Sequence, residues 1–306
     1  MSLGRNVLLF HAGALGDFVL TWPIAVALAR LYPQSRIFYV THGGKGKLAE
    51  QAIGVDSVDI DVGWHPLHGD ANQLNPANQK LLRAAHTMIS FVSDGRDAWA
   101  RNVSRMVSQA NLLCLQTPPR GRILDGMHVS DFFLRQFEGH PAMHTAVQQI
   151  MRSIADRGIG GRSPGDGRIL IHPGAGAAAK CWPLDQFISL ANRLIAADRK
   201  VEFVVGEIEI EKWPKGDVDR LGQTAPLQTP SDLVALYRTI RSASCFIGND
   251  SGPGHLAGIV GVPTLVAFGA GDPTSWKPLG PAVRALSPTD VQDMETAVAE
   301  LLRGVP

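Results

Sequence analysis

Short apolar runs alternate with amphipathic stretches along almost the whole chain, and this alternation limits the fold more than any other feature. Arg5–His11 (RNVLLFH) is a continuous β-rich run followed closely by glycine, the pattern of a strand covered on both faces. Asp17–Leu31 reads as a helix that Pro33 stops. Arg36–His42, Thr87–Val92 and Asn111–Gln116 read as further strands, with helices near Ala98–Gln109 and Val129–Phe137. Repeated β-then-α is the signature of a parallel, doubly wound sheet. Between Ala155 and Gly167 the pattern stops: ADRGIGGRSPGDG carries glycine, proline and charge without an apolar period, as interdomain linkers do. The alternation then restarts, with strands at Arg168–His172, Lys200–Val205, Cys245–Gly248 and Pro263–Phe268. Helices fall at Leu184–Ala197, Ser231–Ala243, Pro253–Val260 and Thr289–Leu302. The expectation is two Rossmann-like α/β domains, residues 1–155 and 168–306, joined by a linker at 156–167. Two such sheets with their carboxyl ends facing one cleft would bind a ligand there.

Charge and cysteine content narrow the function classes. Lysine plus arginine is 29 and aspartate plus glutamate 28, a net charge of +1, which removes the electrostatic case for bulk nucleic-acid binding. Cys114, Cys181 and Cys245 are widely spaced, with neither metal-ligand spacing nor a disulfide framework. No apolar run approaches the roughly 20 residues that span a bilayer, and the N-terminus has no signal-peptide core. The expected compartment is the cytoplasm, with room for peripheral contact at the inner membrane face.

Three loops at strand ends carry chemistry-bearing residues. The first is Ala12-Gly13-Ala14-Leu15-Gly16-Asp17. Its glycines let backbone approach a ligand, and the helix start beyond them favours anions. A dinucleotide fingerprint needs G-x-G-x-x-G and an acid about 20 residues on. Gly13 and Gly16 are instead spaced G-x-x-G, and the second strand ends Val40-Thr41-His42 without an acid, so a nicotinamide cofactor fits poorly. Asp17 reads either as the N-cap of the helix or as a general base in the cleft.

The second loop is His172-Pro173-Gly174-Ala175-Gly176, followed by Lys180-Cys181-Trp182-Pro183. Backbone N–H groups of a small-residue loop can hold phosphate. Lys180 reads either as a compact charge for that phosphate or as a solvated surface lysine, and no Walker A pattern is present. The third, Gly248-Asn249-Asp250-Ser251-Gly252-Pro253-Gly254-His255, is a strand end, a tight turn and a helix start. The N–H groups of Ser251, Gly252 and Gly254 suit a diphosphate. Asp250 and Ser251 read equally as helix caps, and His255 as a half-buried packing residue. Ser251 lacks the G-x-S-x-G context of a hydrolase nucleophile. In Gly206-Glu207-Ile208-Glu209-Ile210-Glu211, a carboxylate such as Glu209 could hold ribose hydroxyls or simply face solvent. His65-x-x-His68 lies in a loop without carboxylate support, so no metal is expected there.

Taken together, these motifs resemble glycosyltransferase family 9, the group that includes the lipopolysaccharide heptosyltransferases. The resemblance rests on Gly13-Ala14-Leu15-Gly16-Asp17 with Leu20-Thr21-Trp22-Pro23, and on His172-Pro173-Gly174-Ala175 with Lys180-x-Trp182-Pro183. It continues in Asn249-Asp250-Ser251-Gly252-Pro253-x-His255-Leu256-Ala257 and Phe268-Gly269 with Asp272-Pro273, in order across both domains. It implies a GT-B architecture, with acceptor on the N-terminal domain and nucleotide-sugar on the C-terminal one; the last helix would pack back across the N-terminal domain. It also implies inverting, metal-independent and cofactor-free transfer from a nucleoside-diphosphate-sugar to a carbohydrate acceptor, such as lipopolysaccharide core or another envelope glycan or glycolipid. By this likeness Asp17 deprotonates the acceptor, Lys180 stabilises the departing diphosphate, and the Asp250–Gly252 turn holds it. The donor site is read at Gly13, Gly16, Gly174, Glu209, Asp250, Ser251, Gly252 and His255.

Two stretches differ from the family pattern: Gly176-Ala177-Ala178-Ala179 before Lys180 has no hydroxyl or acid, and Ala270-Gly271-Asp272 replaces a more usual proline-threonine pair. Arg96, Arg101, Arg120 and Arg122 read as solvated residues or as the lining of an acceptor surface. The alternatives from other classes are a catalytically silent nucleotide- or glycan-binding protein and a GT-B-like epimerase.

Overall fold

The computed structural model describes residues 6–118, 124, 126–161 and 165–303. Two compact units emerge: Met1–Leu124 with Val129–Met151, and Asp125–His128 with Arg152–Pro306. In the first, five parallel strands are β1 (Asn6–Phe10), β2 (Arg36–Thr41), β3 (Asp56–Asp59), β4 (Ala85–Ser90) and β5 (Asn111–Cys114), ordered β3-β2-β1-β4-β5. Central β1 is buried along its whole length because helices cover both faces of such a sheet. Leu8 lies opposite Phe38 of β2 and Met88 of β4. Phe10 meets Trp64 and Trp99 edge-on, with ring centroids 5.3 and 4.9 Å away, the geometry aromatic quadrupoles favour.

The expected helix Asp17–Leu31 is two helices, Leu15–Leu20 and Trp22–Leu31. Thr21 marks the break. Its hydroxyl bonds the Phe18 carbonyl at 2.7 Å and the Tyr39 hydroxyl at 2.8 Å, and Pro23 brings no N–H to continue the ladder. Three further elements give weak or unread signals. The helix Gly43–Ile53 opens GGKGK, yet Gly46 is required there, since a β-carbon would lie 2.4 Å from the Ser57 hydroxyl. Strand β3 (DSVD) is an edge strand, half-buried throughout, so it needs no apolar run. The helix Pro141–Arg157 carries a regular stripe, Met143, Val147, Ile150 and Ile154, all buried, and continues past the start of the expected linker.

The second unit holds six parallel strands: β6 (Arg168–His172), β7 (Lys200–Val204), β8 (Leu227–Gln228), β9 (Cys245–Asn249), β10 (Thr264–Ala267) and β11 (Val283–Leu286), ordered β11-β10-β9-β6-β7-β8. Strand β9 is flanked by β6 and β10, with Ile247 opposite Ile171 and Leu265. The closing helix of the chain contributes to this unit's core. Val291–Arg303 buries Met294, Ala297 and Val298 in the second unit's own core with Phe187, Leu190 and Leu194, and Arg193 reaches Glu295 at 2.8 Å. Its apolar face is thereby used within this unit.

The wedge of Phe10 between two indoles makes it the keystone of the first core. Phe10→Ala is expected to cost about 3–5 kcal/mol, read as a lower denaturant midpoint; a loss below about 1 kcal/mol would contradict that packing role.

Candidate functional site

In the first unit the loop after β1 gathers a small set of polar groups. His11 is buried, and its ring lies under Gly13, where a β-carbon would come within 3.0 Å of Cε1 and 3.2 Å of Nε2. Burial first, then the nearby charges of Lys45 and His42, push its pKa down to about 3, so the ring is neutral at ordinary pH. Gly16 and Asp17 are the second and third residues of the helix Leu15–Leu20. Asp17 is not the N-cap: Ala14 occupies that position, without a side-chain cap bond, and the Asp17 carboxylate is exposed in the helix's first turn. A carboxylate there is favoured by the helix dipole and remains open to a substrate.

Three side chains around this loop were not among the sequence-derived candidates. Lys45 donates to the Gly13 carbonyl; burial lowers the pKa of its amine, against the opposing charges of Asp17 and Asp61. His42 stands between Asp61 Oδ2, 2.8 Å from Nδ1, and the Ala12 carbonyl, 3.3 Å from Nε2. The run GGKGK was the only trace of Lys45 in the sequence, and nothing in the pattern linked it to Gly13. Arg96 and Arg101 are exposed, with Arg101 donating to the Arg96 carbonyl at 2.7 Å, while Arg120 and Arg122 lie outside the described residues.

The second unit brings Gly174, Lys180, Glu209, Asp250, Ser251, Gly252 and His255 to the carboxyl ends of β6, β7 and β9. Asn249, the last residue of β9, is fully buried. Its amide donates to the Pro173 carbonyl at 2.7 Å and accepts from the Trp182 N–H at 2.8 Å, tying together the loop after β6 and the segment carrying Lys180. Gly269 tightens the same segment, because a β-carbon there would lie 2.8 Å from the Ala179 carbonyl, and Ala270 donates to that oxygen at 3.1 Å.

Lys180 is therefore not free in solvent. Its ammonium lies 2.6 Å from Asp250 Oδ2, with the carboxylate 5% exposed and the lysine side chain 44%. Burial alone would raise the Asp250 pKa, but His255, 3.7 Å from Oδ1, and Lys180 outweigh it and hold the carboxyl below its ordinary range. Neither Asp250 nor Ser251 caps the helix Gly252–Ile259, which overturns the capping reading. Ser251 occupies the N-cap position with no side-chain cap bond, and its buried hydroxyl has no partner among the described residues. Among the described residues the backbone N–H groups of Ser251, Gly252 and Gly254 also take no backbone acceptor, leaving a helix N-terminus with donors to spare.

Glu209 is buried, not solvated, unlike Glu207 and Glu211 around it. Its Oε2 accepts from the Gly206 N–H at 2.9 Å, and its Oε1 lies 3.9 Å from His172 Nε2. Burial opposes its ionisation, but His172 and the Gly206 bond prevail and lower its pKa. Gly174 is set against that carboxylate, where a β-carbon would meet Oε1 at 2.1 Å. Gly13, Gly16 and Asp17 belong to the first unit and the remaining candidates to the second.

The model of glycosyltransferase family 9 (heptosyltransferase) matches residues 134–301, more than half of the chain. The chain belongs to this family. This family 9 glycosyltransferase is an enzyme by that membership, and its motifs fall on the strand ends described above. It is 28% identical to lipopolysaccharide heptosyltransferase 3 of Escherichia coli over 298 residues, covering 86% of this chain and 83% of the relative. Its fold is similar to that of E. coli heptosyltransferase WaaC with ADP, with a TM-score of 0.67, 15% identity and coverage of 97% and 99% of the two chains. It is also similar to E. coli ADP-heptose lps heptosyltransferase II, with a TM-score of 0.71, 15% identity and coverage of 98% and 99%. These likenesses show the GT-B fold, two parallel-sheet α/β domains. No helix among the described residues is long and apolar enough to cross a membrane.

The close fit of Gly174 on Glu209 is itself open to a direct test. Gly174→Ala is expected to destabilise the second unit by about 1–3 kcal/mol, and shortening the neighbour in Gly174→Ala/Glu209→Ala should recover part of that loss. Additive losses in a denaturant titration would contradict the contact.

Proposed function

We propose that this glycosyltransferase moves a heptose-type sugar from an ADP-sugar to a glycan acceptor of the lipopolysaccharide type, with inversion and without a divalent metal. The carrying observation is the Lys180–Asp250 pair beside the unfilled N-terminus of the helix Gly252–Ile259. A cation and several N–H donors at one strand end suit a departing diphosphate, whose negative charge grows as the bond to the sugar breaks. The similarity in fold to heptosyltransferase WaaC with ADP and to ADP-heptose lps heptosyltransferase II supports the adenine nucleotide as donor.

In this reading residues 1–155 carry the acceptor, 168–306 the nucleotide-sugar, and 156–167 connect them. Asp17 takes the proton of the attacking acceptor hydroxyl. The hydroxyl oxygen forms a bond to the anomeric carbon from the side opposite the diphosphate, the sugar–diphosphate bond breaks, and ADP leaves with the electron pair. A single displacement of this kind inverts the anomeric centre. Lys180 and the N–H groups of Ser251, Gly252 and Gly254 take up the charge on the diphosphate, the role a metal ion fills elsewhere. Glu209 and Gly174 shape the ribose side, and His255 supports Asp250. Gly13 and Gly16 let the donor sugar approach the loop that bears Asp17. The chain works in the cytoplasm, with peripheral contact at the inner membrane face where a glycolipid acceptor would be presented.

ADP release from ADP-heptose, with lipopolysaccharide lacking its heptose region as acceptor, tests this reading. Asp17→Asn should lower kcat by about 10²–10⁴-fold with little change in donor KM, and a chelator should leave the parent rate unchanged. Parent-like turnover in Asp17→Asn would remove the base assignment, and loss of activity on chelation would remove the metal-independent mechanism.

A further inference from the structure

Lys45 is the second basic group drawn toward the loop after β1, and its use of charge is unusual. A half-buried lysine ordinarily sends its ammonium to water or to a carboxylate. Here the ammonium is spent on a backbone carbonyl, that of Gly13, and it makes no ion pair among the described residues. The adjoining carbonyl of the same loop, Ala12, is met by His42 Nε2 at 3.3 Å, and His42 is itself set by Asp61 at 2.8 Å. Both side chains come from one short stretch, the end of β2 and the start of the helix Gly43–Ile53. From below, the buried ring of His11 lies against Gly13. A glycine loop is the most mobile kind of chain, and this one is fixed at two successive carbonyls and supported from beneath.

The helix Leu15–Leu20 begins immediately after this loop and presents Asp17 in its first turn, without a cap bond to set its start. The position of the Asp17 carboxylate is therefore inherited from the loop. We propose that Lys45, with His42 beside it, is a positioning residue for glycosyl transfer: it clamps the Gly13 loop and so fixes the carboxylate of Asp17 against the acceptor hydroxyl. The proposal rests on Asp17 being the base. Lys45 acts through Asp17 and takes no part in holding the donor, which the second unit binds. Misplacement of a reacting group by about 1 Å can cost on the order of 100-fold in rate, so a clamp on a glycine loop has a measurable share of turnover to protect.

The test uses the full chain with ADP-heptose and heptose-deficient lipopolysaccharide, comparing Lys45→Met, Lys45→Arg, Asp17→Asn and the double variant Asp17→Asn/Lys45→Met. Lys45→Met is expected to lower kcat by about 10–100-fold while donor KM, calorimetric ADP affinity and the thermal midpoint stay near the parent's. Lys45→Arg, which can still donate to Gly13, should recover most of the rate. In the Asp17→Asn background Lys45→Met should cost nothing further, because the residue it positions is already disabled. Parent-like kcat in Lys45→Met, or a full additional loss in the double variant, would overturn the clamp. A kcat loss matched by a fall in folded fraction would also overturn it, since the role would then be stability alone. If Asp17→Asn itself turns over like the parent, the base reading fails, which this set separates from a failure of Lys45.

Discussion

The amide of Asn249 sits at the end of β9 in the second sheet, wholly out of water, and the loops after β6 and before Trp182 supply its partners. A buried amide left without partners is costly, so its bonds to the Pro173 carbonyl and the Trp182 N–H fix both segments relative to β9. Lys180 lies two residues before Trp182 and Gly174 immediately after Pro173. One interior side chain thus sets the place of a cation, a glycine loop and, through the turn that follows it, the helix N-terminus at Gly252. The packing of Gly269 against the Ala179 carbonyl closes the same segment from the other side.

Electrostatically the site is less simple than a basic pocket. Asp250 and Glu209 are buried carboxylates held in their ionised form by His255, Lys180 and His172. A second negative charge brought beside Asp250 would be repelled were it not for Lys180, whose ammonium touches the carboxylate and still has exposed surface. In the proposed mechanism the lysine serves the site twice: it neutralises a residue already present and offers donors to an incoming diphosphate. The N–H groups of Ser251, Gly252 and Gly254, which take no backbone acceptor among the described residues, would add attraction for an anion without added charge.

Much of this was legible in the sequence, for physical reasons that can be named. The buried strands β1, β6 and β9 are continuous apolar runs and fall close to where the pattern places them, and the motif residues of the second unit sit together at strand ends, as a doubly wound sheet requires. Legibility failed where the signal was tertiary. Thr21 splits a helix through a hydroxyl bonded to Tyr39, a contact that no periodicity encodes. Asp17 and Ser251 look like caps because of residue type, yet the N-cap position falls three residues before Asp17, at Ala14, and the Ser251 hydroxyl makes no cap bond. Asn249 was visible only as part of a motif, since its importance lies in complete burial. Lys45 was hidden in a glycine-rich run in which Gly46 lies too close to Ser57 to carry a side chain. The stripe of Met143, Val147, Ile150 and Ile154 is a different case, a plain helical period that the glycine-rich segment after it obscured.

In the proposed mechanism Lys180 reads the second phosphate of the donor. Calorimetric titration of ADP and AMP into the parent, Lys180→Met and Lys180→Met/Asp250→Asn measures it most directly. Lys180→Met is expected to weaken ADP by about 10- to 100-fold, as for loss of a charge-assisted bond. AMP should change far less, and the double variant should regain part of the ADP affinity because Asp250 no longer repels. Equal ADP affinity in the parent and Lys180→Met would show that Lys180 does not hold the second phosphate.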